Sequence, residues 1–305
     1  MELLYLLEKI RVPGLNECML LITRLGEETA FLVLALILFW CVDKRRGYYI
    51  LSVGFIGTMA NQFLKLLCRI PRPWVLDENF TILEQAREAA TGYSFPSGHS
   101  QTAVGTYGGI AYTTKNPWVR GVCIAVAVLV PFSRMYVGVH TPYDVLVGAA
   151  MALILVFVLK PVTVDRDDSR TMGILLIVML AMALGLLAYV SVYPFPADVD
   201  EGNLLSGMKN AYTMLGCVMG LGIVYFVEKK YIRFETKAVW GAQILKTVLG
   251  LAGVLMVKEG LRGPLDTLFG GHMMARAVRY LLVVLAAGLL WPLTFRWFSK
   301  LGGKK

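Results

Sequence analysis

Apolar stretches close to 20 residues long recur from one end of this chain to the other. In hydrocarbon no water pairs an exposed N–H or C=O, so such a segment must satisfy its own backbone, and a helix does so. About 20 helical residues cross the roughly 30 Å apolar layer of a bilayer. We read nine segments, near 27–43, 47–66, 99–115, 118–134, 142–160, 172–193, 204–227, 238–257 and 277–297. The expected fold is therefore all-α, a polytopic transmembrane helical bundle of about nine spans. Composition agrees, because 57% of the 305 residues are hydrophobic and the mean hydropathy is +0.62. Soluble domains sit nearer half on a similar count. Several segments are short and carry polar residues, which suits helices packed among other helices.

The net charge of +9 raises nucleic acid as a partner, and its distribution argues against it. Basic clusters fall at Lys44-Arg45-Arg46, Lys115/Arg120, Lys160/Arg166/Arg170, Lys229/Lys230/Arg233/Lys237 and Arg296/Lys300/Lys304/Lys305. These lie at every second connection and at the end of the chain, the bias of cytoplasmic loops. With nine spans the N-terminus is expected outside and the C-terminus in the cytoplasm. The connection 193–203 is acidic and lacks Lys and Arg, as an outer loop can. Met1–Arg24 carries acids and no small-residue cleavage site, so no signal peptide is expected. Leu3, Leu4, Leu6, Leu7 and Ile10 are spaced for a short amphipathic helix on the outer leaflet, ended by Pro13-Gly14. The five cysteines are scattered without zinc spacing and read as packed small hydrophobes.

Polar chemistry is concentrated in residues 1–160, and 161–305 reads as a further transmembrane region beyond the charged turn Asp165–Arg170. Pro96-Ser97-Gly98-His99 precedes an apolar helix. Ser97 is placed to cap it, and Gly98 keeps its first amides open to an anion. Ser133-Arg134 stands five residues before His140, and Asp144 follows after three more. Arg134 offers a planar fork to phosphate oxygens. Thr141-Pro142 reads as a cap and first helical residue, which puts Asp144 at the third position. There it completes a capping box with Thr141, or orients the His140 ring, or does both. Lys65 and Arg72-Pro73 add two cations near the end of the second span. The grouping points to phosphate handled at a membrane surface. Between the first and second motifs, Thr81–Ala90 is spaced as a surface helix, with Ile82, Leu83, Ala86 and Ala89/Ala90 on one face.

These residues, Lys65-x6-Arg72-Pro73, Pro96-Ser97-Gly98-His99 and Ser133-Arg134-x5-His140-x3-Asp144, resemble the three signature motifs of the type 2 phosphatidic acid phosphatase family. That family also includes the vanadium haloperoxidases, a branch that is typically soluble. The resemblance covers about 45–150, with no departure at a motif position. It implies a metal-independent lipid phosphatase needing no cofactor. His140 is the implied nucleophile, Asp144 its orienting acid and His99 the general acid and base. Lys65, Arg72, Ser97, Gly98 and Arg134 are the implied phosphate-binding residues. The implied partners are a lipid phosphate substrate and membrane lipids.

The expected location is the bacterial plasma membrane with the site on its outer face, since the charge bias puts all three motifs on that side. Undecaprenyl diphosphate, phosphatidic acid, phosphatidylglycerol phosphate and sphingosine 1-phosphate are the candidate substrates, with a lean to the first. A lipid-linked phosphotransferase using His140, and a non-enzymatic transporter or scaffold, are the alternatives. Lys246 inside the eighth segment is either paired with a polar group or the mark of a weakly apolar helix. His272 reads as a loop residue, and Trp74 and Tyr93 as interfacial anchors or as the lining of a lipid entrance.

Overall fold

Capping residues start the helices where the sequence places them. Asn116, Thr141 and Asp168 each accept amide bonds from the first turn that follows, and Pro117 and Pro142 fill first helical positions where no N–H is needed. The computed structural model describes residues 1–301 except Ala89 and Asp198. Helix makes up 79% of it and no strand occurs among the described residues, so the chain is the all-α membrane bundle expected. Ala89, Lys304 and Lys305, used in the sequence reading, lie outside the described residues.

In chain order, α1 (Glu2–Lys9) and α2 (Pro13–Arg24) precede α3 (Glu28–Ile37), which runs into a π-helical turn at Leu38–Val42. Next come α4 (Lys44–Cys68) and the short α5 (Pro73–Leu76). The segment α6 (Gly98–Ala103), a π-helical turn at Val104–Gly108, and α7 (Gly109–Thr113) form one rod. The long helices α8 (Pro117–Tyr136), α9 (Pro142–Lys160), α10 (Ser169–Val192) and α11 (Glu201–Val227) follow. The chain closes with α12 (Trp240–Gly260), α13 (Arg262–Leu268), α14 (Met274–Leu285) and α15 (Phe295–Phe298).

Among the described residues seven helices are long and apolar enough to cross a membrane, or eight if the pair α2 and α3, bent by 52°, counts as one span. The ninth expected segment is the rod from Gly98 to Thr113, whose pieces are six, five and five residues long. At 1.5 Å per residue it is about 24 Å long, short of a bilayer. Ser100, Gln101 and Ala103 through Tyr107 are buried, so its surroundings are protein rather than lipid.

Two units divide the chain. The first comprises Met1–Leu34, Tyr49–Pro161 and Pro194–Gly207. In it α6 packs against both α8 and α9. The approach to α9 is close: a Cβ at Gly148 would stand 2.5 Å from the Ser97 carbonyl oxygen. The amphipathic α1 is present, and protein takes up part of its apolar face. Leu4 packs with Phe80 and Ile82, and the Tyr5 hydroxyl donates to Asp77 Oδ2 at 2.7 Å. Leu3, Leu6 and Ile10 stay exposed. The helix expected over 81–90 is only a 3-10 turn at Glu84–Ala86. Its apolar residues serve two clusters: Ile82 joins Leu4, while Ala86 joins Met19, Tyr136 and Val139. The Leu83 amide is tied to the Val137 carbonyl, which pulls the backbone away from a helical path.

The second unit comprises Ala35–Tyr48, Val162–Tyr193 and Met208–Lys305. Lys246 is buried there with no carboxylate in ion-pair contact among the described residues. Its Nζ donates to the carbonyls of Trp40 (2.9 Å) and Thr236 (3.1 Å) and sits 4.5 Å from the Phe295 ring centre. It therefore pairs with polar backbone, the first of the two readings. His272 is in a loop, where its Nδ1 accepts the Met274 amide.

Candidate active site

α8 carries Ser133 and Arg134 in its last turn, and the Ser133 hydroxyl bonds back to the Val130 carbonyl. The chain then turns at Gly138, whose φ of +88° a side chain rarely allows. Two residues later His140 stands just ahead of α9. This explains the spacing: five residues are what a helix end and one left-handed turn need to bring His140 back beside Arg134. The Val139 amide donates to the Arg134 carbonyl and closes that turn.

Asp144 holds the next junction. Its Oδ2 accepts from the Thr141 amide at 2.7 Å, while its own amide donates to Thr141 Oγ1, the capping box the sequence predicts. The same oxygen accepts from the Ser94 hydroxyl at 2.6 Å and lies 3.5 Å from His140 Nδ1. One carboxylate thus serves the helix and the ring together.

On the other side of the ring, Arg72 Nη1 lies 2.9 Å from His140 Nε2. A guanidinium only donates, so Nε2 must present its lone pair and the ring proton must sit on Nδ1, facing Ser94 and Asp144. Arg72 also donates to the carbonyls of Thr91, Gly92 and Val139. It is a strut between two loops as much as a free cation.

Ser97 caps α6, accepting from the Ser100 amide. Its own amide donates to the Asp144 carbonyl at 2.9 Å. That leaves the amides of Gly98 and His99, which the helix itself does not pair, as the ones open to a ligand. A Cβ at Gly98 would meet only Asn61 Oδ1, at 3.7 Å, so no protein contact demands glycine there. Lys65 donates to the Tyr93 carbonyl. Arg134 is 0% exposed, donates from Nη1 to Thr23 Oγ1 at 2.7 Å, and has no partner at Nε or Nη2 among the described residues. The buried Nε2 of His99 has none either. The unpaired buried guanidinium donors of Arg134 fit an anionic ligand.

His140 is 1% exposed. Burial first, then Arg72, Arg134, Lys65 and His99, hold its pKa well below the ordinary histidine value, so the ring is neutral near pH 7. All eight candidate residues therefore lie on segments joined by these bonds. Two further residues escaped the sequence reading. Ser94 is fully buried and bonded to Asp144, 50 residues away, and Asn61 donates to the Pro96 carbonyl. Neither lies in a patterned stretch, and both act through partners distant in sequence.

The PAP2 superfamily description matches residues 45–168, and the description of a transmembrane extension of PAP2 superfamily phosphatases matches 212–304. Phosphatidylglycerophosphatase B of Bacillus subtilis is 34% identical over 164 residues, covering 50% of this chain and 76% of that protein. The chain belongs to the PAP2 superfamily. An undecaprenyl-diphosphatase of Sulfolobus acidocaldarius is 31% identical over 151 residues, covering 48% of this chain and 70% of that one. Mouse (Mus musculus) sphingosine-1-phosphate phosphatase 2 is 23% identical over 214 residues, covering 67% and 57%. No solved structure matches. Membership of this superfamily and the apolar helices make the chain an integral membrane protein.

Proposed function

We propose that this PAP2 superfamily member is a metal-independent lipid phosphatase that works through a phosphohistidine. The observation that carries this reading is the pair of contacts on one ring, Arg72 at Nε2 and Asp144 at Nδ1. They leave a lone pair on Nε2 and a proton on Nδ1, the state a nucleophile requires. Nε2 attacks phosphorus as the bond to the leaving oxygen breaks. Burial and then Arg134, Arg72 and Lys65 push the His99 pKa well below the ordinary histidine value in the empty site. The anionic phosphate offsets those cations when it binds, so that His99 enters with the substrate carrying the proton it gives the leaving oxygen. Arg72 moves from Nε2 to a phosphoryl oxygen, joined by Lys65, Arg134 and the Gly98 and His99 amides. His99 then takes a proton from water, whose oxygen displaces His140 and releases phosphate. Asp144 balances the positive charge that forms on the ring. The substrate is a lipid phosphate or diphosphate, in keeping with the names of the relatives, and it enters from the outer leaflet of the plasma membrane.

The test is phosphate release by the purified chain from undecaprenyl diphosphate, phosphatidic acid, phosphatidylglycerol phosphate, sphingosine 1-phosphate and a soluble sugar phosphate. Each is run with and without an alcohol acceptor, which separates hydrolysis from phosphotransfer. His140→Ala is expected to abolish release and His99→Ala to reduce it severely. A His140→Ala variant as fast as wild type would rule out the phosphohistidine.

A further inference from the structure

The second unit holds a cavity that the catalytic motifs do not use. It is an open cleft of about 640 Å³, lined by the start of α4, the π-helical turn Glu228–Ile232 after α11 and the segment 233–237. That volume lies in the range of small-molecule sites. None of its lining residues belongs to the phosphate cradle.

We propose that this cavity is a second anion site, taking a phosphate group carried by a lipid headgroup or free in solution. Its cations fall into two sets. Lys44 pairs with the buried Glu228 at 2.7 Å, and Lys229 with Asp167 at 2.8 Å. These pairs brace the walls and cancel. Arg45 lies 4.0 Å from Asp43, at the edge of ion-pair contact. Arg233 and Lys237 have no carboxylate in ion-pair contact among the described residues, and Glu235 is the remaining acid of the lining. With those pairs cancelled, the walls carry a small positive excess, held by the exposed Arg233 and Lys237 against Glu235.

A second observation is independent of charge. Tyr48 lines the cavity and is 4% exposed, yet its hydroxyl has no hydrogen-bond partner among the described residues. A buried phenol hydroxyl ordinarily has one. An anion seated among Arg45, Arg233 and Lys237 would supply the acceptor. Topological bias accounts for the number of cations at this end of the helices. It does not account for a cavity or for an unpartnered buried hydroxyl.

The test uses the full-length chain with the cradle silenced by His140→Ala and Arg134→Gln, compared with the same chain carrying Tyr48→Phe and Lys237→Ala. In detergent, thermal unfolding is followed while inorganic phosphate replaces chloride at constant ionic strength. In lipid nanodiscs, retention of phosphatidylglycerol is counted by native mass spectrometry. A saturable, cavity-dependent effect in the first arm identifies free phosphate, and in the second a lipid headgroup. The two cavity substitutions together are expected to weaken binding on the order of 100-fold, about tenfold for each lost hydrogen bond to the anion. Placed in the wild-type background they should leave phosphate release unchanged, which shows that the fold survives. Binding that is absent from the cradle-silenced chain in both arms, or indifferent to Tyr48→Phe and Lys237→Ala, overturns the proposal.

Discussion

Asp144 Oδ2 meets a helix cap, a serine and the candidate nucleophile at once, so substitutions there separate fold from chemistry. Asp144→Asn keeps an oxygen for the Thr141 amide and loses the charge facing His140. It is expected to unfold within a few degrees of wild type yet lose activity on the order of 10³-fold or more. Asp144→Ala removes the cap as well and is expected to cost a further 1 kcal/mol or so. Thermal unfolding and phosphate release, measured on both variants, decide this. Ser94→Ala leaves the carboxylate one donor short, with an expected stability loss of about 1 kcal/mol and a kcat reduced more than KM is altered. An unchanged kcat would remove Ser94 from the site. The buried, cation-faced ring of His140 makes a pH prediction. Its folded pKa lies below the ordinary 6.5, so the neutral, attacking form persists as pH falls through that value. The acid limb of kcat/KM is expected below pH 6.5, and one at or above it would contradict the depressed pKa. The linked stability has the same sign. It is fully present above about pH 6.5 and is lost as pH falls toward the folded pKa.

At the scale of elements, the site depends on how closely α6 and α9 approach. Gly148 lies on a helix where alanine would normally stabilise by up to about 1 kcal/mol. Here its Cβ would press on the Ser97 carbonyl at 2.5 Å. Gly148→Val is therefore expected to displace the Ser97–His99 turn and lower kcat on the order of 10²-fold, with about 1–3 kcal/mol of destabilisation. A Gly148→Val enzyme with wild-type kcat would show that the turn is not set by this contact. The capping box at Thr141 was legible because its residues are adjacent in sequence. The 81–90 segment was misread for the opposite reason. Its apolar spacing looked helical, but tertiary clusters and the Leu83–Val137 bond claimed its residues separately.

For the whole molecule, the alternation of basic clusters predicts sidedness. On that reading Cys68, exposed just past Lys65, is expected on the outer face, and position 115, in the connection before α8, on the inner. In intact cells a membrane-impermeant maleimide is expected to label a chain whose single cysteine is Cys68. It should miss one whose single cysteine comes from Lys115→Cys until the membrane is opened. The reverse pattern would place the catalytic motifs in the cytoplasm. The count of spans was only partly legible in the sequence. The rod from Gly98 to Thr113 has a span's hydrophobicity but a core helix's length and surroundings, and hydropathy cannot tell hydrocarbon from a packed protein interior.

The sequence by itself determined the helical class, since long apolar runs have few ways to satisfy their backbone in a membrane, and it determined the eight candidate residues through their spacing. Only the tertiary structure decided which atoms are occupied. Arg72 fixes the His140 tautomer, the Ser97 amide is taken by Asp144, and Ser94 completes the carboxylate's shell. Those facts rest on contacts between residues about 50 to 70 apart, where local pattern carries no information and packing alone sets the partner.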